Sequence, residues 1–370
     1  MSVLTAVPNR TREVAEHSAF DLQSRAGAGQ PWLVNPWFDA LFLSNVFWPV
    51  LAVGLVVWGM DFHDGVSFWQ VYFVTTPHRW ITLALVFLDR DRFAERPVAF
   101  ATVAGVVLLV CLGVRFGTGG LTCLLIADYL WNAWHFASQH SGILRIYTRR
   151  SRPAWTGSAA AEKILLRTFV LYVILRVSGL AWSLVGQQFG ILPVAGAGWS
   201  PSRFEETLQV LDWCSLVLPA LLVVVVRPGL SAVDRGRTLY LASFLSLYVS
   251  MLAAVHLHRF DLLLILTLIS ALFHATEYLA IVSWAMQKKF PVEDGGAASQ
   301  PPRTRNLMAA IVPHWVLSLT VFCVALGLVG WISDVQAINT WLTINVAAAF
   351  LHYWYDGMIW KRPRRRRAAA

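Results

Sequence analysis

Residues 262–287 read LLLILTLISALFHATEYLAIVSWAMQ, and this stretch decides the fold class. It is long enough to cross a bilayer, because the hydrocarbon core takes about 20 apolar residues of α-helix. His274 and Glu277 interrupt the stretch near its middle. An ionisable side chain at that depth is costly and marks a functional site that faces protein rather than lipid. The stretch therefore predicts a membrane-spanning helix that carries part of a site.

The composition extends this prediction to most of the chain. The protein has 370 residues, of which 57% are hydrophobic and 14% charged, and its mean hydropathy is +0.56. Soluble proteins carry about 25% charged residues. We therefore predict an all-α polytopic membrane helix bundle. It has about ten transmembrane helices, at roughly 38–60, 66–88, 97–116, 119–147, 161–186, 205–226, 237–257, 260–287, 306–331 and 336–360.

The distribution of positive charge predicts the orientation of these spans. Lysine and arginine are concentrated in alternate loops, as in Arg149, Arg150 and Arg152, and cytoplasmic loops carry this excess. Both termini belong to the positive set, so we place both in the cytoplasm of a bacterial cell, with the protein in its cytoplasmic (inner) membrane. The predicted parts are a polar N-terminal tail 1–36, a membrane domain 37–360 with a cytoplasmic linker 290–305, and a basic C-terminal tail 361–370.

A net charge of +9 would suit a protein that binds nucleic acid. Here the positive residues lie in short loops and beside a predicted span, which indicates that they set the orientation in the membrane and contact anionic lipid. We expect no nucleic-acid partner and no cleaved signal peptide. The four cysteines lie in apolar stretches without a C-x-x-C motif, which indicates buried small side chains rather than disulfides or a zinc site. The bilayer itself is the expected partner.

Six histidines interrupt the apolar segments and are the candidate metal ligands. Imidazole is the commonest protein ligand for transition metals. The six come from five predicted spans: His78, His135, His140, His274, His314 and His352.

Polar residues accompany these histidines at helical spacing, which places them on shared faces. Asp128, Asn132, His135 and Gln139 form one stripe. Four further stripes are Thr75, His78, Arg79 and Thr82; Thr267, Ser270, His274, Glu277 and Tyr278; His314 and Ser318; and Asn345, His352 and Asp356. Faces of this kind are typical of helices turned towards a polar interior.

The polar companions predict two kinds of role. Asp128, Asn132, Glu277 and Asp356 can hold the second ring nitrogen of a metal-bound histidine. Glu277 and Asp356 are the candidate catalytic residues, with Glu277 acting as an acid/base or as a ligand.

Three readings stay open for individual residues. His140 follows His135 by five positions, so the two do not point at one metal on a regular helix. His140 and His314 fit interhelical hydrogen bonding equally well. Arg79 and Arg176 could pair with Asp128, Glu277 or Asp212, or bind an anionic head group.

Three segments carry a resemblance to a known family: NAWHFASQHSG at 132–142, LFHATEY at 272–278 and FLHYWYDG at 350–357. This pattern, with about one histidine per helix beside aromatic residues, resembles the Brp/Blh family of bacterial carotene dioxygenases. The resemblance implies a helical membrane protein that holds iron through histidines and cleaves a polyene with O2.

The sequence thus predicts a membrane-bound, metal-dependent oxygenase or oxidoreductase that takes a lipophilic substrate from the bilayer. Iron is the expected cofactor, with a di-iron centre, zinc, copper and haem as open alternatives. The chain shows no flavin, nucleotide or iron–sulfur motif, so a reductant would come from an external electron donor. A haem-binding redox protein and a proton-coupled transporter are the competing functions, since buried ionisable groups also serve proton relays.

Overall fold

The computed structural model describes residues 30–58, 60–151, 158–189, 201–289 and 307–360. Most of the predicted N-terminal tail, the linker 290–305 and the C-terminal tail lie outside these residues. Every regular element in the described ranges is helical. The main helices are α1 Pro36–Leu43, α2 Trp48–Trp58, α3 Met60–Trp69, α4 Thr76–Phe87, α5 Arg90–Glu95, α6 Pro97–Thr118, α7 Thr122–Ser151, α8 Ala159–Phe189, α9 Pro201–Ser215, α10 Val217–Val226, α11 Arg235–His256, α12 Phe260–Lys289, α13 Leu307–Ile311 and α14 Trp315–Ile359.

The all-α membrane fold is confirmed at this level. Among the residues that the structure describes, five helical stretches are long and apolar enough to cross a membrane. They are Pro97–Thr118, Glu205–Val226, Ala232–His256, Phe260–Lys289 and Val312–Ile359. The pair α1 and α2, bent by 46°, would make a sixth span if it crosses as one unit. By length and composition, the described helices support this smaller number rather than ten.

Helix α14 folds back on itself near its middle. Its 45 residues would extend about 68 Å as a straight helix, more than twice the thickness of the hydrocarbon core, about 30 Å. Ala337 breaks the helical geometry with φ −150° and ψ 51°. A Cβ atom on Gly330 would lie 2.7 Å from the ring of Trp341, although a straight helix would separate these residues by about 16 Å. The two arms correspond to the segments predicted at 306–331 and 336–360.

A proline shapes the helix that carries His78. Pro77 has no N–H, so the carbonyl four residues earlier loses its helical partner. The backbone widens into a π-helical turn, Gln70–Thr75, just before α4 begins. Such turns occur frequently at functional sites. The carbonyl of Thr75, the last residue of this turn, hydrogen-bonds the ring of His78.

Four helices, α4, α7, α12 and α14, meet at the centre of the described structure. Each of α12 and α14 packs against both α4 and α7. Small residues allow the close approach, as is usual in membrane bundles. Ala347, Ala348 and Ala349 are buried on the second arm of α14, immediately before His352.

Candidate metal centre

The four central helices bring four of the six candidate histidines together. His78 lies on α4, His135 on α7, His274 on α12 and His352 on α14, and all four are buried. Going round in the order His78, His274, His135, His352, neighbouring ring centroids are 5.2, 5.2, 4.6 and 5.1 Å apart. We call this group the histidine cluster.

The donor atoms of His135, His352 and Asp356 lie close enough together to bind one metal ion. The two Nε2 atoms are 3.0 Å apart. Asp356 Oδ2 lies 3.8 Å from Nε2 of His135 and 3.9 Å from Nε2 of His352. These distances place one point about 2.1 Å from all three atoms, and metal–imidazole bonds are about 2.0–2.1 Å long. The three donors therefore fit a single metal ion, as a group whose ligand atoms lie within 4.8 Å of one another.

A hydrogen-bond chain orients two of these donors. The Nδ1 atom of His352 lies 2.7 Å from Thr82 Oγ1, which lies 2.5 Å from the Tyr278 hydroxyl. Tyr278 in turn donates to Asp356 Oδ1 at 2.5 Å. We assign the chain as His352 N–H to Thr82, Thr82 to Tyr278 and Tyr278 to Asp356. This assignment leaves a lone pair on His352 Nε2, on the side that faces His135.

His78 is oriented by the backbone beside Pro77. Its Nδ1 atom hydrogen-bonds the Thr75 carbonyl in the π-helical turn. Because a carbonyl only accepts, Nδ1 carries the proton and Nε2 of His78 keeps its lone pair. A histidine whose second nitrogen is fixed in this way is prepared to bind a metal.

His274 is buried without a partner. Neither of its ring nitrogens makes a hydrogen bond within the described structure, and its side chain has no exposed surface. Its ring stacks on Phe136 with centroids 3.7 Å apart and an angle of 12° between the planes. An unpaired buried polar group costs about 1–3 kcal/mol. A bound metal ion beside the ring would supply the missing partner.

His140 and Glu277 form a second buried polar group, separate from the three metal-binding donors. His140 Nδ1 lies 3.0 Å from Glu277 Oε2 and 3.0 Å from the Tyr240 hydroxyl. The Tyr248 hydroxyl lies 3.3 Å from His140 Nε2. Gln139 donates to Glu277 at 3.1 Å. Both ring nitrogens of His140 are thus engaged, as expected of an interhelical histidine. The polar stripes of the sequence do not predict these two tyrosines, because both lie on α11, which carries none of the six candidate histidines.

His314 lies apart from the other candidates. It ends the short 3-10 turn that precedes α14, and its side chain is exposed. In the described part of the chain no hydrogen bond or ring contact joins it to another of the six histidines. Of the six histidines predicted as ligands, four therefore form the cluster, His140 borders it at 6.1 Å from His274, and His314 is distant from it.

The two arginines that the sequence places inside predicted spans, Arg79 and Arg176, have different surroundings. Arg176 binds Asp212 through Nε at 3.2 Å and Glu205 through a terminal nitrogen at 2.5 Å. Arg79 lies within electrostatic range of Asp128 and Tyr353. The Tyr353 hydroxyl lies 2.9 Å from Asp128 Oδ1 and 3.0 Å from Asn132 Oδ1, and its one proton is shared between these two oxygens. The two predicted companions of the metal ligands therefore contact Tyr353 instead.

Comparison of the chain with protein-family models, with curated proteins and with solved structures returned no match.

Proposed function

We propose that this protein is an integral-membrane, metal-dependent oxygenase or oxidoreductase that acts on a lipophilic substrate. The observation that carries the proposal is the placement of His135, His352 and Asp356, whose donor atoms surround one point at metal-binding distance. Burial of all three side chains in the bundle centre supports a functional role, because unpaired ionisable groups are costly there.

Iron is the metal that we propose. Two histidines and one carboxylate, with further positions open, are the donor set of non-haem iron oxygenases. His135, His352 and Asp356 would hold the ion. His78 and His274, whose rings lie next to those of His352 and His135, would be additional ligands. Bound ferrous iron would supply the redox chemistry for a reaction with O2. Zinc, which accepts the same donors, and a di-iron centre that also uses Glu277 are distinguished by metal analysis.

The surroundings of the site favour an apolar substrate. His274 lies midway along Phe260–Lys289, a candidate span, so the cluster lies close to the middle of a membrane-spanning helix. Trp131 packs against Tyr353 with ring centroids 5.8 Å apart and against Trp354 at 5.6 Å. Trp354 is 47% exposed on the outer surface of the bundle. This aromatic row leads from the lipid-facing surface towards the histidine cluster.

The proposal includes a membrane topology and a family likeness. We propose that the remaining helices also cross the bilayer, giving about ten spans with both termini in the cytoplasm of a bacterial cell. Histidines held on separate helices are also the feature that resembles the Brp/Blh carotene dioxygenases. Electrons, where the reaction needs them, would come from a separate donor.

A haem between two histidines fits this site less well. Axial ligands on opposite sides of one iron lie about 4 Å apart, at about 2.0 Å each. The Nε2 atoms of His135 and His352 are 3.0 Å apart, and no space for a porphyrin separates them.

A proton-coupled transporter is the second candidate. The observation that favours it is the pair His140 and Glu277, with no exposed surface on either side chain and a 3.0 Å contact between them. Buried pairs of this kind also occur in proton relays.

Metal analysis of the purified full-length protein tests the proposal. We expect about one iron per chain in the wild type and its loss in His352→Ala. His314→Ala is the matched control, because it removes an exposed imidazole outside the cluster and should keep the metal. Absence of metal from well-folded wild-type protein that has been offered ferrous iron would overturn the proposal and favour the transporter.

A further inference from the structure

Arg79 lacks the side-chain partners that three other arginines of the described helices have. Arg176 is paired with Asp212 and Glu205, and Arg167 lies over the ring of Trp134 at 4.9 Å. Arg237 donates to Asp234 at 2.7 Å. Among the described residues, Arg79 makes no hydrogen bond, ion pair or ring contact. Its Nε atom is buried without a partner, as is that of Arg167, but Arg79 has no aromatic ring below its guanidinium.

The depth of Arg79 makes this arrangement costly. It follows His78, whose ring is 5.2 Å from that of His274, midway along a candidate span. A charged side chain in hydrocarbon is normally paired with an opposite charge or with backbone carbonyls. Asp128 acts on Arg79 only at longer range, because no carboxylate of the described chain lies within 4.0 Å of its guanidinium. The side chain is only partly buried, so its terminal nitrogens keep accessible surface.

Arg79 also lies beside the candidate metal centre. It interacts with Tyr353, whose ring is 5.0 Å from His135 and 5.6 Å from His352. An anionic ligand of Arg79 would therefore lie beside the candidate metal centre.

We propose that Arg79 binds the carboxylate of a long-chain amphiphile whose apolar tail lies along the aromatic row between α7 and α14. The proposal rests on the proposed function and names its substrate class. A guanidinium binds a carboxylate through two parallel N–H donors, which would satisfy the nitrogens that now lack partners. A carboxylate suits this depth better than a phospholipid head group, which is larger and stays at the membrane surface.

The test compares two ligands that differ in one group. Purified full-length protein in a neutral detergent is titrated with oleate and with oleyl alcohol, by displacement of a radiolabelled fatty acid. We expect the wild type to prefer oleate by at least about tenfold, as a charge-assisted hydrogen bond predicts. Arg79→Gln should lose this preference. Arg79→Lys should keep part of it, because the charge remains while the fork geometry is lost.

Arg115→Gln is the matched control. Arg115 lies in the last turn of α6 and donates to the Gly119 carbonyl. Its replacement therefore removes one positive charge without changing the histidine cluster. Equal binding of oleate and oleyl alcohol by the wild type overturns the proposal even if a variant fails to fold. Displacement of oleate by phosphatidic acid at equal concentration also overturns it, since the site would then recognise any anionic lipid.

The iron content of the same preparations separates this inference from the proposed function. Iron in the wild type without charge-selective binding would remove the inference alone. Charge-selective binding without iron would keep Arg79 as an anion site and remove the oxygenase.

Discussion

The Nε2 atoms of His135 and His352 lie 3.0 Å apart in the bundle centre, although 217 positions separate the two residues in the sequence. Two imidazoles at this distance either share one proton or share one metal ion. The hydrogen-bond chain from His352 through Thr82 to Tyr278 holds the proton of His352 on Nδ1, so its Nε2 faces His135 with a lone pair. Asp356 approaches both nitrogens from a third direction. A shared metal explains all three approaches together.

Replacing Asp356 by asparagine tests whether the carboxylate is a ligand. Asp356→Asn keeps the size of the side chain and its contact with Tyr278 but removes the negative charge. We expect metal affinity to fall by at least about tenfold, since even residues behind the ligands contribute about 10–100-fold. Competition with a chelator measures the change. Asp261→Asn, at an exposed position in the first turn of α12, is the control and should keep wild-type affinity.

We predict that Thr82 increases the affinity for the same metal ion without contacting the ion. Thr82→Val preserves shape but removes the hydroxyl between His352 and Tyr278. Loss of such a partner typically costs about 10–100-fold in metal affinity. Thr320→Val is matched to it, because the Thr320 hydroxyl donates only to the Val316 carbonyl of its own helix. Equal chelator curves for wild type and Thr82→Val would show that the chain does not orient a ligand.

Substitution of His274 distinguishes a metal ligand from a structural core residue, because the two roles predict different effects on metal content and stability. If its unpaired ring belongs to the metal centre, His274→Ala lowers the bound metal, and this is the result that we expect. If it is only a core side chain, its replacement by phenylalanine removes an unsatisfied group worth about 1–3 kcal/mol and stabilises the fold with the metal retained. Metal content and thermal unfolding, measured on both variants, separate the two.

The helical fold and the four clustered histidines were accessible from the sequence for different reasons. Apolar length gave the helices, and the 3.6-residue period placed polar companions such as Thr82, Tyr278 and Asp356 on the faces that meet. The period does not say which helices are neighbours. It therefore could not exclude His314, and it could not find Tyr240 or Tyr248 beside His140.

Two other features depend on three-dimensional contacts. The count of ten spans came from hydropathy with breaks at loops, whereas length and composition of the described helices support five or six. Asp212 was one of several acids that the sequence offered as a partner for Arg176, and only the contact between α8 and α9 selected it and added Glu205. Tyr353 was overlooked because an aromatic residue next to a histidine is common in apolar helices. Its position directly after His352 was the available signal.

Gly236 is predicted to be intolerant of any side chain. A Cβ at this position would overlap the backbone carbonyl of Pro31 and crowd the ring of Tyr147, neither of which can move freely. Gly236→Ala should destabilise the protein by about 1–3 kcal/mol, the usual cost of overpacking, which lowers the temperature of unfolding in detergent. Gly113→Ala meets nothing within 4 Å and should be neutral or slightly stabilising. Equal unfolding temperatures for the two variants would argue against the close packing of residue 31 on α11.

We predict that replacing Asp212 alone destabilises the protein more than replacing Arg176 and Asp212 together. Both side chains are buried, and Tyr172 also donates to Asp212 at 2.6 Å. Asp212→Ala leaves the guanidinium with Glu205 alone and should cost about 3–5 kcal/mol. The double variant Arg176→Met, Asp212→Leu removes both buried charges and leaves only the partly exposed Glu205 carboxylate without its arginine partner, so it should unfold at a higher temperature than Asp212→Ala. Metal content should stay at the wild-type level in both, because this pair is not among the contacts of the histidine cluster. A double variant no more stable than the single one would mean that the pair stabilises the fold through its geometry rather than by charge compensation.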